Sequence, residues 1–135
     1  MYKMDEMNLF ERLGAARIVQ LSTAFYNRVY ADTDEWFTEL FPEDKYQAVQ
    51  NQYEFFIQRL GGPQLYSQRK GHPALRARHQ RFTITQKHVG RWLKYMNDAL
   101  DEVGIAGEDK ELFWEFLFDT AHFLQNVEKD GSRIY

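Results

Sequence analysis

Two blocks of helical periodicity are held apart by a stretch that has none. That interruption limits the folds open to this chain more than any other feature. It spans residues 61–84 and contains Gly61-Gly62-Pro63, Gly71-His72-Pro73, a second histidine at His79, and the cations Arg69, Lys70, Arg76, Arg78 and Arg81. A long irregular connection costs conformational entropy and buries little apolar surface. It adds nothing to stability, so it reads as the functional loop, with His79 near its far end as the main chemical group.

The flanking blocks are helical by pattern. Residues 8–14 suit a short helix stopped by Gly14. In 15–30, Ile18, Leu21, Ser22, Phe25 and Val29 share a face at i, i+3, i+4, i+7 spacing. Tyr26 stands beside that face, where a buried hydroxyl has to find a partner. Residues 31–34 are a polar break and 36–41 a short aromatic stretch. Pro42 is expected to open a long helix to about Leu60, with Glu43 and Asp44 in its positive first turn. The inner stripe of that helix is Ala48 or Val49, Gln52, Tyr53, Phe56 and Leu60, polar only towards the tips of Gln52 and Tyr53.

Residues 85–103 carry the cleanest amphipathic pattern, through Val89, Trp92, Leu93, Met96, Ala99, Leu100 and Val103. A last helix is expected over 108–127, with Leu112, Phe113, Phe116, Leu117, Thr120, Phe123, Leu124 and Val127 inward. Residues 128–135 read as a frayed polar tail. No stretch alternates as a strand does. The pattern predicts one all-α domain over 1–135, with about five main helices.

Composition removes several function classes. With no cysteine, disulfides, zinc–thiolate sites and thiol catalysis are excluded, and an intracellular location fits. A net charge of −3 argues against a dedicated nucleic-acid binder. No apolar run is long enough for a signal peptide or a transmembrane helix, so no membrane partner and a cytoplasmic location are expected. The aromatic share of 16% suits either a bulky core or a pocket of flat rings around a flat ligand. There is no nucleophile elbow, phosphate loop, His-Glu-x-x-His or EF-hand loop.

The remaining chemistry rests on a few groups, each with a bland reading beside a sharper one. His79 closes a short helical piece, 73–79, and precedes Phe82 and Ile84. At the mouth of an aromatic-walled space, an imidazole is a candidate haem iron ligand. A lone loop histidine is more often a cap or a packing residue. His72 precedes Pro73 and reads as a loop-fixing residue. His88 reads as a surface histidine and His122 as a helix-packing one. The arginine cluster is solvated charge, a set of carboxylate partners, or a nucleic-acid patch weakened by the acidic total. Tyr26, Gln52 and Trp92 put polar tips on three apolar helix faces. Each alone is usually a satisfied core residue; converging, they would donate hydrogen bonds to one small ligand.

Taken together, Gly61-Gly62-Pro63, Tyr66, Gly71-His72-Pro73, Leu75-Arg76, Arg78-His79, Phe82 and Ile84 resemble the signature of the group II truncated haemoglobins. Phe25-Tyr26, Phe41-Pro42-Glu43 and Trp92-Leu93 match as well, so the resemblance runs from about residue 10 to residue 126. It implies a truncated (2-over-2) globin fold with a long loop before a short proximal helix, and haem b (iron protoporphyrin IX) as cofactor. By the same resemblance, His79 is the proximal iron ligand. Tyr26, Trp92 and Gln52 are the distal hydrogen-bonding set, with Ala48 the other ligand-facing position. Phe41 stacks on the porphyrin, and Arg78 and Lys70 meet the propionates. Tyr66, Leu75, Phe82 and Ile84 are expected to contact the haem from the loop side. Tyr53, Phe56 and Met96 are expected to do so from the long helices. The junction aromatic is Phe41, so a second distal tyrosine hydroxyl is absent, and Gln52 offers its amide instead.

The function that follows is binding of dioxygen or another diatomic at a His-ligated iron. The chemistry implied is redox, such as nitric oxide dioxygenation or a peroxidase-like step, rather than bulk oxygen transport. A reductase partner is implied, and either a monomer or a homodimer is compatible. The alternative is a haem-free helical interaction module whose basic loop is a partner surface.

Overall fold

The computed structural model describes residues 2–134. Among them a 3-10 turn at Lys3–Glu6 is followed by α1 (Leu9–Leu13), α2 (Ala15–Ala31), α3 (Glu35–Thr38), α4 (Lys45–Arg59), α5 (Leu65–Lys70), α6 (Leu75–His79), α7 (Gln86–Glu102) and α8 (Gly107–Leu124). The fold is all-helical, and an isolated antiparallel bridge between Val127 and Arg133 is the only strand-like pairing among these residues. The long helices form two pairs, α2 with α4 and α7 with α8, joined by α2 packing on α7. This is the two-over-two arrangement expected of the chain.

The pairs form where the apolar stripes meet. Ile18, Leu21, Phe25 and Val29 of α2 are all buried, as are Val89, Leu93, Met96, Ala99 and Leu100 of α7. Ser22, on the same α2 stripe, is small enough for α4 to approach, and its hydroxyl donates to the Val49 carbonyl at 2.9 Å. Helix α7 opens with a capping box. Thr85 Oγ1 accepts from the His88 N–H, and His88 Nδ1 accepts from the Thr85 N–H at 3.0 Å. Gly14, at φ +83, ends α1 and turns the chain straight into α2.

Helix α4 begins at Lys45, three residues later than the Pro42 start expected. Asp44 is the better cap: its carboxylate accepts the Gln47 N–H at 3.2 Å. Pro42 stays outside the helix, and its carbonyl takes the Tyr30 hydroxyl instead. At the other end, Leu60 accepts from the Phe10 N–H and Gly62 donates to Ile57. A Cβ on Gly62 would lie 2.8 Å from both Ile57 and Phe10, so only glycine lets α4 end this close to α1.

Two short helices interrupt the irregular segment, where the sequence announced only the second. Helix α5 is fixed from α4. Gln58 bonds Ser67 at both its oxygen and its nitrogen, and Arg69 ties to Glu54 and Asn51, each at 2.7 Å. Those bonds come from residues 9 to 18 positions back on another helix, which periodicity does not report. Helix α8 stops at Leu124 rather than Val127. Phe123, expected inward, is 48% exposed, and its ring takes the Arg76 guanidinium at 4.0 Å in place of core contacts. The expected polar tail folds back: Ile134 donates to the Asn126 carbonyl and Glu128 to Ser132. The end of that tail, Tyr135, lies outside the described residues.

Candidate functional site

Helices α2, α4, α7 and α8 and the α5–α6 segment enclose a cavity of about 810 Å³. Its walls are largely aromatic: Phe37, Phe41, Phe55, Phe56, Phe82 and Phe116 line it. From the sequence-derived set it brings together Tyr26, Phe41, Gln52, Phe56, Tyr66, Lys70, Leu75, Arg78, His79, Phe82, Ile84 and Trp92, with Ala48 beside them. Two residues of that set are elsewhere. Met96, one turn beyond Trp92, is fully buried in the main core, and Tyr53 packs on that core from the side. A helical stripe tells which residues point inward; it does not tell where along the stripe packing gives way to space.

His79 is the last residue of α6. Its Nδ1 lies 2.6 Å from the Leu75 carbonyl one turn back, a contact that makes Nδ1 the protonated nitrogen. Nε2 is left with no protein hydrogen-bond partner among the described residues. Burial lowers the imidazole pKa below its ordinary value, and the cations Arg78 and Arg81 push the same way against the opposing Leu75 bond. At neutral pH the ring is therefore neutral, with a lone pair on Nε2.

Three polar tips reach the same cavity from three helices: Tyr26 from α2, Gln52 from α4 and Trp92 from α7. Burial pushes the Tyr26 phenol well above its usual value, helped by Tyr30, so it stays protonated and able to donate. Among the described residues neither its hydroxyl nor the Trp92 indole has a protein hydrogen-bond partner. The Gln52 side-chain oxygen is buried and unpaired as well. Buried polar groups are nearly always satisfied. Gln52 Oε1 departs from that rule, and beside it the Tyr26 hydroxyl and the Trp92 indole border the cavity without a protein partner; together they mark a place for a ligand. The rings around them interlock: Tyr26 meets Phe25 at 4.9 Å and Phe41 at 6.0 Å edge to face, and Phe25 meets Trp92 at 5.1 Å in a tilted pair.

The cations divide. Arg78 spends its guanidinium on the loop itself, donating to the carbonyls of Pro73 (2.8 Å), Lys70 (2.7 Å) and His72 (3.1 Å). Lys70 also lines the cavity and has no ion-pair partner among the described residues. His72 is the loop-fixing residue its position before Pro73 suggested: its Nδ1 accepts the Ala74 N–H at 2.9 Å, holding Ala74 at φ 41. His88 is not at the surface. It is buried on the cavity wall, bonded to Thr85 and, through Nε2, to the Trp36 carbonyl at 2.7 Å. His122, expected to pack between helices, is exposed and lies tilted against Phe118 at 4.3 Å.

Sequence reasoning missed the α8 wall, where Phe116, Leu117, Thr120, Ala121 and Leu124 line the cavity. The helical stripe points Phe116, Leu117, Thr120 and Leu124 inward, and Phe116 and Leu117 are indeed buried in the core while also bordering the cavity. Thr120, a polar residue inside an apolar stripe, is the one signal that part of this stripe faces space rather than packing.

A helical fold of two packed pairs, with a histidine-bearing segment closing an aromatic cavity between them, is the architecture of a small globin. The family model for bacterial-like globins matches residues 8–126. Two-on-two hemoglobin-3 of Arabidopsis thaliana is 51% identical over 125 residues, covering 91% of this chain and 71% of that protein. Group 2 truncated hemoglobin YjbI of Bacillus subtilis is 39% identical, covering 92% of both. The crystal structure of the group II truncated hemoglobin from Bacillus anthracis superposes with a TM-score of 0.84 at 37% identity, covering 90% of this chain and 98% of that one. The chain belongs to the bacterial-like globins and, within them, to the group II truncated haemoglobins, a family that typically binds haem. The haem-free interaction module has no support in this kinship, and the open cavity gives it none. No helix among the described residues is long and apolar enough to cross a membrane.

Proposed function

We propose that the cavity holds haem b, with His79 Nε2 as the protein ligand of the iron, and binds dioxygen or another diatomic molecule. The observation that carries this reading is one neutral, tautomer-fixed imidazole and three unpartnered polar tips on a single aromatic-walled space. The residues suit that group. Flat rings match a flat macrocycle, Nε2 supplies a lone pair, and Lys70 offers its ammonium to carboxylates, with the charge of Arg78 held beside it on the loop carbonyls. The sequence contributes the same assignment through its family resemblance.

When bound, the haem supplies an iron that takes up diatomic ligands and exchanges electrons. The chain supplies the environment. The Tyr26 hydroxyl and the Trp92 indole donate hydrogen bonds to a polar diatomic in the cavity, and the Gln52 amide adds a third. In a low-dielectric space such donors favour a ligand that gathers negative charge. At about 1 kcal/mol each, three slow ligand escape by roughly two orders of magnitude. Long retention suits redox chemistry on the ligand, such as nitric oxide dioxygenation or a peroxidase-like step served by a reductase, better than oxygen delivery. Ala48 leaves no bulky side chain over the ligand-facing side of α4.

Absorption spectra of the purified protein in ferric, ferrous and oxygenated forms test this, beside His79→Ala. An intense Soret band that changes with redox state and ligand is expected, and its axial signature is lost in the variant. A folded, colourless protein that refuses haemin would end the proposal.

A further inference from the structure

Helix α6 has five residues and buries none of them. A helix that short is marginal in water, and its own packing does not fix where His79 stands. Besides the local bonds of Leu75 and Arg78, a third hold on it comes from the far end of the chain. Asn126, just past α8, is completely buried, and each polar atom of it is used on the segment after His79 or on the tail. Its side-chain oxygen accepts the Ile84 N–H at 2.8 Å. Its side-chain nitrogen donates to the Phe82 carbonyl at 2.8 Å and to the carbonyl of His79 itself at 3.5 Å. Its backbone N–H donates to the Ile84 carbonyl at 2.9 Å, and its own carbonyl accepts from Ile134 at 3.0 Å. The tail adds a second tie, from Arg133 to the Gln80 carbonyl at 3.0 Å.

We propose that Asn126 is a positioning residue for His79, clamping the backbone from 79 to 84 so that the imidazole is held at the cavity wall, with Arg133 as its auxiliary. This rests on the reading of His79 as the iron ligand. Only a carboxamide does the work, because the clamp needs one acceptor and two donors on one planar group. Alanine removes all three bonds. Aspartate keeps the shape but turns the donor towards two carbonyl oxygens into an acceptor.

The test compares the wild type with Asn126→Ala, Asn126→Asp and Arg133→Ala, each with and without haem. In the haem-free proteins, NMR should show the His79 ring signals shifted and broadened in N126A and N126D, with those of His72 unmoved. Ile84 amide exchange should quicken about tenfold or more. R133A should move the His79 signals less, in the same direction. In the haem-loaded ferrous proteins, the iron–imidazole stretching band in resonance Raman should shift in N126A and vanish in His79→Ala. If Ile84 exchange quickens while both the ring signals and the band stay at wild-type positions, Asn126 is merely structural and the proposal is overturned. A band that survives in His79→Ala refutes the ligand reading instead, and the haem-free arm alone then judges Asn126. Should N126A and N126D not fold, R133A carries the test: exposed Arg133 is dispensable for the core, and unmoved His79 signals there sink the clamp.

Discussion

The two sides of the cavity are built by different physics. Tyr26, Gln52 and Trp92 sit in the middle of α2, α4 and α7, helices of 17, 15 and 17 residues whose apolar faces are locked into the core. Their positions come from packing and need no dedicated hydrogen bonds. His79 sits on a five-residue helix with no buried residue, held by the Leu75 carbonyl, by Arg78 across three loop carbonyls, and by Asn126. One side is set by area and the other by directed bonds. The packed side should therefore tolerate loss of a polar atom with little structural consequence, whereas the bonded side should move when a single clamp is cut.

The contrast breaks most visibly at His79. Replacing it by alanine should abolish the normal haem spectrum and weaken haemin retention by orders of magnitude, read by haemin transfer to a competing apoprotein; an unchanged spectrum would put the ligand on another residue. The next effect should come from Arg78→Ala, which cuts three bonds to loop carbonyls. A loss of about 2 kcal/mol in urea denaturation is expected, together with faster amide exchange across 70–79; equal stability would mean the loop holds without its clamp.

On the packed side, Tyr26→Phe keeps the ring contacts with Phe25 and Phe41 and removes only the hydroxyl. Haem-free stability should change by less than about 0.5 kcal/mol, while oxygen dissociation, followed by stopped flow, should accelerate about tenfold. An unaltered rate would take Tyr26 out of the ligand's surroundings. The smallest effect is on pH dependence. His79 has its folded-state pKa lowered by burial, so the folded chain binds fewer protons than the unfolded one. Stability from this group is present above the unfolded value of about 6.5 and is lost as pH falls through the folded one. Haem-free protein should thus show a shallow decline on acidification from about pH 7 that His79→Phe flattens; a decline unchanged in that variant would assign it to other groups.

Much of the site was readable as sequence because its residues break local rules. Tyr26 and Gln52 are polar in apolar company, and His79 stands in a segment with no packing reason to exist. Residues that keep the rules say less about where the cavity lies. Met96 and Tyr53 fit a stripe and were credited to the cavity, yet they pack in the core. Phe116 and Leu117 fit a stripe and are buried in the core as that stripe predicts, and they line the cavity as well, which the stripe does not tell. His88 looked like a surface residue because its partner, the Trp36 carbonyl, is 52 positions away. Asn126 falls in the last turn of the expected helix and outside its inward stripe, since nothing local says that an asparagine will be buried.

By itself the sequence settled the helical class, the breaks between most of the helices, and the residue types available for ligation and hydrogen bonding. These follow from periodicity, glycine and proline sterics and side-chain chemistry, all of which act over a few neighbouring positions. Only the tertiary structure decided which portion of each apolar stripe closes on another helix and which portion borders open space. It alone decided which distant amide holds the short helix of His79, because those outcomes depend on how surfaces far apart in the chain fit one another.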